Sequence, residues 1–465
     1  MGNIKLKTLS KLGYTTDIAR STAINIINKH CKHETEEQIL AQLVQVKEQP
    51  DEWLSHEYWG KVASCFTEKT IESVFDAYEL NADAAPLSVY GGKHIDTTAK
   101  QQMQMAMQLP VSVQGALMPD AHAGYGLPVG GVLATNNAVI PYAVGVDIGC
   151  RMALTITDAA DTFIKRNKHA ITEALRAHTH FGMEGGLEQK QEHAVMDDVM
   201  FSTTELLRNL KGKAYRQLGS SGSGNHFVEF GTIELFNNNS AGLPAGNYTA
   251  ILSHSGSRGL GAAVAMHYTQ IAMDVCRLPR EAKNLAWLDM NSEAGQEYWL
   301  SMTLAGDYAK ACHERIHINL CKTLGLRQLA TIENHHNFAW KEMLNGKEVI
   351  VHRKGATPAH EGEMGIIPGS MTTAAYLVKG AGVAASINSA SHGAGRMMSR
   401  KRAKESFTVS SLKKELAKAE VTLIGGSVEE APNAYKDIEQ VISAQSQLVT
   451  IEGRFMPKVV RMNKE

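Results

Sequence analysis

Residues 246–256 read GNYTAILSHSG, a short apolar run opened by Gly and Asn and closed by Ser and Gly. That is the pattern of a strand feeding a polar loop. It recurs in GGVLAT (130–135) and KEVIVHRKG (347–355). Between such runs lie stretches of helical character: TDAADTFIKRNKHAITEALRAH (157–178), SEAGQEYWLSMTLAGDYAKACHERIHINLCKTLG (292–325) and SLKKELAKAE (411–420). The mixture predicts an α+β fold, a single catalytic domain over residues 86–465 with a deep central cleft. Residues 1–85 are poor in Gly and rich in helix formers, as in EEQILAQLVQVKEQ (36–49) and KTIESVFDAYEL (69–80). They predict a helical N-terminal extension that ends near the turn-prone NADAAPLS (81–88). FNNNSAG (236–242) reads as a surface loop, and no internal repeat is visible.

Composition narrows the function. Hydrophobic residues make up 43% and charged residues 20% of the 465, the balance of a soluble enzyme with a sizeable core. Lys and Arg total 47 against 48 Asp and Glu, which excludes a strongly basic nucleic-acid coat. If RNA is the partner, positive charge must be local. No apolar run is long enough to span a bilayer, and MGNIKLKTLSKLGY lacks a signal-peptide core, so the expected address is the cytoplasm, with no membrane partner. The six cysteines show no CxxC pair and are expected as free thiols.

Five loops combine Gly with potential metal ligands: GVDIGC (145–150), GSGNHFVEF (222–230), SHSGSRGLG (253–261), ENHHNF (333–338) and SASHGAGR (389–396). Asp147 and Cys150 lie three apart, while His226, His254 and His336 come from separate loops. Carboxylate, thiolate and imidazole form a mixed site in which sulfur can bridge two divalent ions. Two ions roughly 3.5–4 Å apart suit phosphoryl chemistry. GIIPGSMTTAAY (365–376) has the hydroxyls and amides of a phosphate nest, although PGS also serves as an ordinary turn. The pattern His313-Glu-Arg-Ile-His317 matches the zinc-protease HExxH, but on a helix whose polar face is expected to hold His and Glu in solvent. His30, Cys31 and His33 lack a fourth ligand and read as a polar helix end. Arg396–Arg402 is a local basic cluster, either a phosphate contact or a solvated helix start.

From about Ala85 onward the chain resembles the RtcB family of RNA ligases. The resemblance is carried by MPDAHAGYGLPVGG (118–131), GVDIGC, GSGNHFVEF, HSGSRGLG, HHN, HRKGAT (352–357), IPGSM and SHGAGRMMSR, in that order. It implies an RtcB-like domain with a metal cleft holding two manganese ions bridged by Cys150. Asp147 and His226 would complete one shell, His254 and His336 the other. His392 would be the nucleophile that takes GMP from GTP. The nucleotide would be held by Asn225, His226, Phe227, Val228, Glu229, His336, Asn337, Pro368, Gly369, Ser370, Met371, His392, Gly393, Ala394 and Gly395, with Lys464 at the C-terminus. Arg258, Arg353, Lys354 and Arg396 would contact phosphate or RNA, and Asp120 and His122 would lie near the centre.

The implied reaction joins RNA 2′,3′-cyclic phosphate or 3′-phosphate ends to 5′-hydroxyl ends through an RNA(3′)pp(5′)G intermediate, with an archease-type activator as a possible partner. The alternatives are a metal-dependent cyclic phosphodiesterase or phosphatase without ligation, and a non-catalytic RNA-end binding protein. The chain departs from the family pattern at Ala375, where a serine is usual, at Pro358, where an arginine is common, and at the terminal RMNKE, where Lys-Gly is usual.

Overall fold

The structure, a computed structural model, describes residues 4–463 except 5, 32, 68–75, 183–186, 188 and 189. Its larger sheet runs, in spatial order, Gln328–His335, Arg151–Ala160, Gly246–Ser255, Phe227–Leu235, Val449–Met462, Ala375–Gly380 and Met364–Ile367. All these pairings are antiparallel, and Thr422–Ile424 adds a parallel partner to Val449–Met462. The sheet curls into a nearly closed barrel. Its two edges are bridged by one side chain: Asn334 Nδ2 donates to Ile366 O at 3.2 Å, and Ile366 N donates to Asn334 Oδ1 at 2.9 Å. A side-chain amide offers both a donor and an acceptor, so it can replace a missing ladder step.

Strand alternation sorts the residues. Met152, Leu154, Ile156, Ala250, Leu252, Ile332, Leu377 and Phe455 share one core cluster. Val228, Phe230, Ile251 and Val459 turn the other way and pack with Ile316 and Leu320 of the long helix Glu293–Leu324. That helix begins where Ser292 accepts from Gly295 N and ends at Gly325, whose φ of 65° suits a residue without Cβ. The expected strands over 130–135, 246–256 and 347–355 are present, as are the helices over 292–325 and 411–420. The stretch 157–178 differs: its start prolongs the strand Arg151–Ala160, and helix begins only at Thr162.

A second sheet runs Asn337–Leu344, Lys347–Lys354, Val129–Thr135, Ser112–His122 and Leu87–Val89. Its hairpin turns on Asn345 and Gly346, both at positive φ, as a two-residue turn between right-twisted strands requires. One residue, His336, separates the barrel's edge strand Gln328–His335 from Asn337–Leu344, the edge strand of this sheet. Helices at Leu6–Lys11, Asp17–His30, Glu36–Glu48, Pro50–Trp53 and Gly60–Ala63 enclose a core around Tyr14, Leu43 and Trp59. The helix expected over 69–80 falls mostly outside the described residues. Where it re-enters them, Asp76–Ala77 pairs as a parallel strand with Cys276–Arg277, so the chain is already laced to the rest of the fold before Ala85. No helix among the described residues is long and apolar enough to cross a membrane.

Replacing Asn334 with Ala strands the buried amide and carbonyl of Ile366 at the barrel seam. We expect a loss of about 1–3 kcal/mol, read as a lower urea midpoint with an unchanged slope. An unchanged midpoint would show that the seam does not depend on this side chain.

Candidate functional site

Register brings the loop ligands to one rim. Arg151 pairs with Ser255 and with His335, and Phe227 pairs with His254. Antiparallel pairing therefore puts the starts of Arg151–Ala160 and Phe227–Leu235 beside the ends of Gly246–Ser255 and Gln328–His335. Cys150, His226, His254 and His336 occupy these positions. His226 Nε2 and His254 Nε2 lie 3.3 and 3.2 Å from Cys150 Sγ. His254 Nε2 and His336 Nε2 are 3.1 Å apart, and Asp147 Oδ2 is 2.9 Å from His226 Nε2. The ligand atoms form two groups, Asp147–Cys150–His226 and Cys150–His254–His336, which share the sulfur.

The protonation preferences follow from burial. Burial pushes His254 down to about 3 and His336 well below the ordinary imidazole value, so both rings are neutral near pH 7. His254 Nδ1–H donates to Asn225 O at 3.1 Å, leaving the Nε2 lone pair on the cluster. Burial alone would raise Asp147, but His226 overrides it and holds the carboxylate below its usual value. Burial, with Asp147 beside it, raises the Cys150 thiol well above its ordinary value; a divalent cation reverses that preference and takes the thiolate. Close-set lone pairs on N, S and O of this kind fit a divalent metal pair.

Backbone spacing keeps the centre open. A Cβ on Gly256 would collide with the Asp147 carboxylate, and one on Gly222 with the His226 ring. Asn337 links the loops: its Nδ2 donates to Asp147 O at 3.3 Å and its Oδ1 accepts from Gly355 N at 2.8 Å.

His392 stands next to the cluster, its ring centroid 5.0 Å from that of His336. Its Nδ1 is 2.7 Å from Oδ2 of the fully buried Asp120. The carboxylate fixes the proton on Nδ1 and presents Nε2 as a lone pair. Asp120 is held in turn: Lys436 Nζ donates to Pro119 O and Ala121 O, and Gly395 packs on Asp120 O so closely that no Cβ would fit. The sequence placed Asp120 near the centre without a role. Its partner lies 272 positions away, and no local signal joins them.

A cavity of about 320 Å³ opens on this centre. Asn225, Phe227, Glu229, Asn337, Lys354, Pro368–Met371, Gly393–Gly395 and Arg396, all named from the sequence, line it together with Ala375. Burial raises the Glu229 carboxyl well above its ordinary value, favouring a protonated group that can donate as well as accept. Lys464 lies outside the described residues.

Other residues named from the sequence are placed differently. Val228 turns into the core, so its side chain takes no part in the cavity. Arg353 is fully buried and is held by Glu342 at 2.6 Å and Ser389 Oγ at 2.7 Å. Its neighbour Lys354 faces the opposite side of the strand, toward the cavity. Arg258 braces the His226 loop from behind through Ser220 Oγ at 3.0 Å and is not among the lining residues. Arg396 does line the cavity, but its guanidinium already holds Glu430 at 2.9 Å. Half-exposed Arg400 also lines it, a cation noted only as part of a cluster in the sequence. The Gly365–Tyr376 loop is no open nest: the amides of Gly369, Ser370 and Thr373 donate to Ala374 O, Thr373 Oγ1 and Ser370 O.

His313 and His317 are buried, not in solvent. Ser253 Oγ sits between them, 2.6 Å from His313 Nδ1 and 2.7 Å from His317 Nε2, and Thr155 Oγ1 holds His317 Nδ1 at 2.7 Å. The remaining nitrogen, His313 Nε2, donates to Ser255 O at 3.1 Å, so the four ring nitrogens are all spent behind the strand that carries His254. Cys31 caps its helix through an N–H to Ile27 O, and His30 stacks on Tyr58, consistent with the helix-end reading.

A family model described as tRNA-splicing ligase RtcB matches residues 102–463. The chain belongs to the RtcB family. It is 32% identical over 405 residues to the RNA-splicing ligase RtcB of Escherichia coli K12, a match covering 80% of this chain and 97% of that relative. It is 29% identical over 436 residues to the tRNA-splicing ligase RtcB of Thermococcus kodakarensis, covering 78% and 90%. The relative in Nanoarchaeum equitans, also named tRNA-splicing ligase RtcB, is 32% identical over 438 residues, covering 78% and 91%. The family match begins after the N-terminal helices.

Burial lowers His317 to about 3 from an ordinary 6.5, so its neutral form belongs to the fold. Above pH 6.5 neither state is protonated. As pH falls toward the folded value, the unfolded chain takes up a proton that the native chain refuses, and stability drops. Urea titrations between pH 7 and 4.5 should therefore show His317→Gln losing stability less steeply than wild type, by about 1.4 kcal/mol per pH unit. Parallel slopes would contradict a buried neutral His317.

Proposed function

We propose that this member of the RtcB family joins RNA 3′-phosphate or 2′,3′-cyclic phosphate ends to 5′-hydroxyl ends, using GTP and two manganese ions through a guanylylated His392. The RtcB family membership makes the chain an RNA ligase. The observation that carries the finer reading is the geometry of His392: an imidazole with Nδ1 anchored on buried Asp120 and its ring against a metal-ligand histidine.

The residues divide the work. Asp147, Cys150, His226, His254 and His336 would hold the ion pair, which when bound supplies positive charge for phosphate oxygens. His392 Nε2 attacks the α-phosphorus of GTP; a nitrogen–phosphorus bond forms, the α–β phosphoanhydride bond breaks, and pyrophosphate leaves. Asp120 keeps the proton on Nδ1 and stabilises the charge that the ring acquires. Protonated Glu229, Asn225, Phe227 and the loops at Pro368–Met371 and Gly393–Gly395 form the wall proposed for guanine and ribose, and Lys464 is proposed as a further contact to the nucleotide. GMP then passes from His392 to an RNA 3′-phosphate, giving the RNA(3′)pp(5′)G end. A 5′-hydroxyl displaces GMP, forming the new phosphodiester. Half-exposed Arg400 is the cavity cation proposed to meet RNA phosphate; burial lowers Lys354 to about 7, so near neutral pH it carries only part of a charge. Residues 1–85 are proposed as an extension to this catalytic unit, which would work in the cytoplasm and accept an archease-type activator.

Incubation with labelled GTP and manganese should give an acid-labile GMP adduct on wild type and none on His392→Ala. Asp120→Asn, which favours the wrong tautomer, should slow adduct formation by about 10²–10⁴-fold. An equal adduct on His392→Ala would remove the nucleophile assignment. Phosphate-end hydrolysis without any adduct would instead favour a phosphodiesterase.

A further inference from the structure

The loop 123–128 leaves the cavity wall at His122 and returns to it at Val129, both of which line the cavity. Its backbone is fixed at three points. The Gln102 side chain accepts from Gly124 N at 3.0 Å and donates to Gly124 O at 2.5 Å. Lys354 Nζ donates to Tyr125 O at 2.5 Å and to Tyr142 O at 3.1 Å. Gly126, at φ 69°, packs on the Asn284 carbonyl. On this held backbone the Tyr125 side chain is left 71% exposed. Its aromatic neighbour is Tyr142, at 6.4 Å between centroids and tilted by 51°, so the two rings do not stack on each other. Val146, 41% exposed, adds apolar rim beside Asp147 and also lines the cavity. Gly355 ties this rim to the nucleophile: its missing Cβ would stand 3.1 Å from His392 Cε1 and closer still to Val129.

We propose that Tyr125 is a stacking platform for the unpaired base of the nucleotide that bears the RNA 3′-phosphate. The proposal rests on the ligase reading. The wall formed by Glu229, Pro368–Met371 and Gly393–Gly395 is taken by the guanine nucleotide, which leaves the Tyr125 rim for RNA. In the proposed reaction the 3′-phosphate attacks the phosphorus carried on His392, and Gly355 and Val129 join that ring to the Tyr125 loop. The base of that same nucleotide is one sugar away from its phosphate. Every base has a π-face, so stacking tolerates any terminal sequence, as joining of varied ends requires.

The test uses the full chain and a fluorescein-labelled single-stranded RNA with a 3′-phosphate, with Kd read by anisotropy. Tyr125→Ala should raise Kd roughly five- to a hundredfold, and Tyr125→Phe should restore it. Wild type should lose a similar factor when the 3′-terminal nucleotide is abasic, and Tyr125→Ala should lose nothing further. A Kd for Tyr125→Ala within about twofold of wild type, or losses that multiply, would overturn the proposal. GMP loading of His392, measured without RNA, should be the same in wild type and Tyr125→Ala. Its absence in wild type would overturn the ligase reading and not the stacking cycle, so the two failures are distinguishable.

Discussion

Five potential ligand atoms brought face to face at one rim are the constraint on which this structure turns. Imidazoles, a carboxylate and a sulfur at 2.9–3.3 Å make two largely buried groups of ligand atoms that could each hold a metal ion. The rest of the architecture serves that convergence. An antiparallel barrel brings strand starts and strand ends to the same rim, so ligands far apart in sequence meet without a long excursion of the chain. His336, alone between two sheets, belongs to both; its N–H donates to Cys150 O at 3.0 Å and its carbonyl accepts from Gly355 at 2.7 Å. Closing the barrel through Asn334 and holding the rim are one structural problem, because Asn334 is two residues from His336.

The buried polar groups around the site divide into braces and reactive groups. Arg353 with Glu342, and Arg258 with Ser220, are braces: their donors are satisfied inside the protein. Burial alone would raise Glu342, yet His360 and Arg353 hold it at about 2, which marks it as a permanent anion within the second sheet. His313 and His317 brace the strand of His254 from behind through Ser253. His392 differs from all of these: its Nδ1 is anchored on Asp120, and its Nε2 is the nitrogen proposed to react.

Much of the site was legible because each ligand ends or begins an apolar run. GNYTAILSHSG announces both the strand and His254 at its polar end. What the sequence could not reveal was phase. Arg353 and Lys354 are adjacent cations in one strand, and only pairing with Val129–Thr135 and Asn337–Leu344 decides which of them faces the cavity. The histidines of HExxH failed the same way, since helix phase against the barrel, not spacing, buries them. The Gly365–Tyr376 loop looked like a nest because the sequence does not show where its amides donate. Asp120, near the end of the strand Ser112–His122, and His392 meet only through the packing of that strand on the Gly393–Gly395 loop, and Asp76–Ala77 pairs with a strand that lies far along the chain.

Anomalous diffraction at the manganese edge, on crystals grown with manganese, addresses the shared sulfur most directly. The account predicts two peaks roughly 3.5–4 Å apart with Cys150 Sγ between them, one beside Asp147 and His226, the other beside His254 and His336. A single peak, or a pair that Cys150 does not touch, would contradict it.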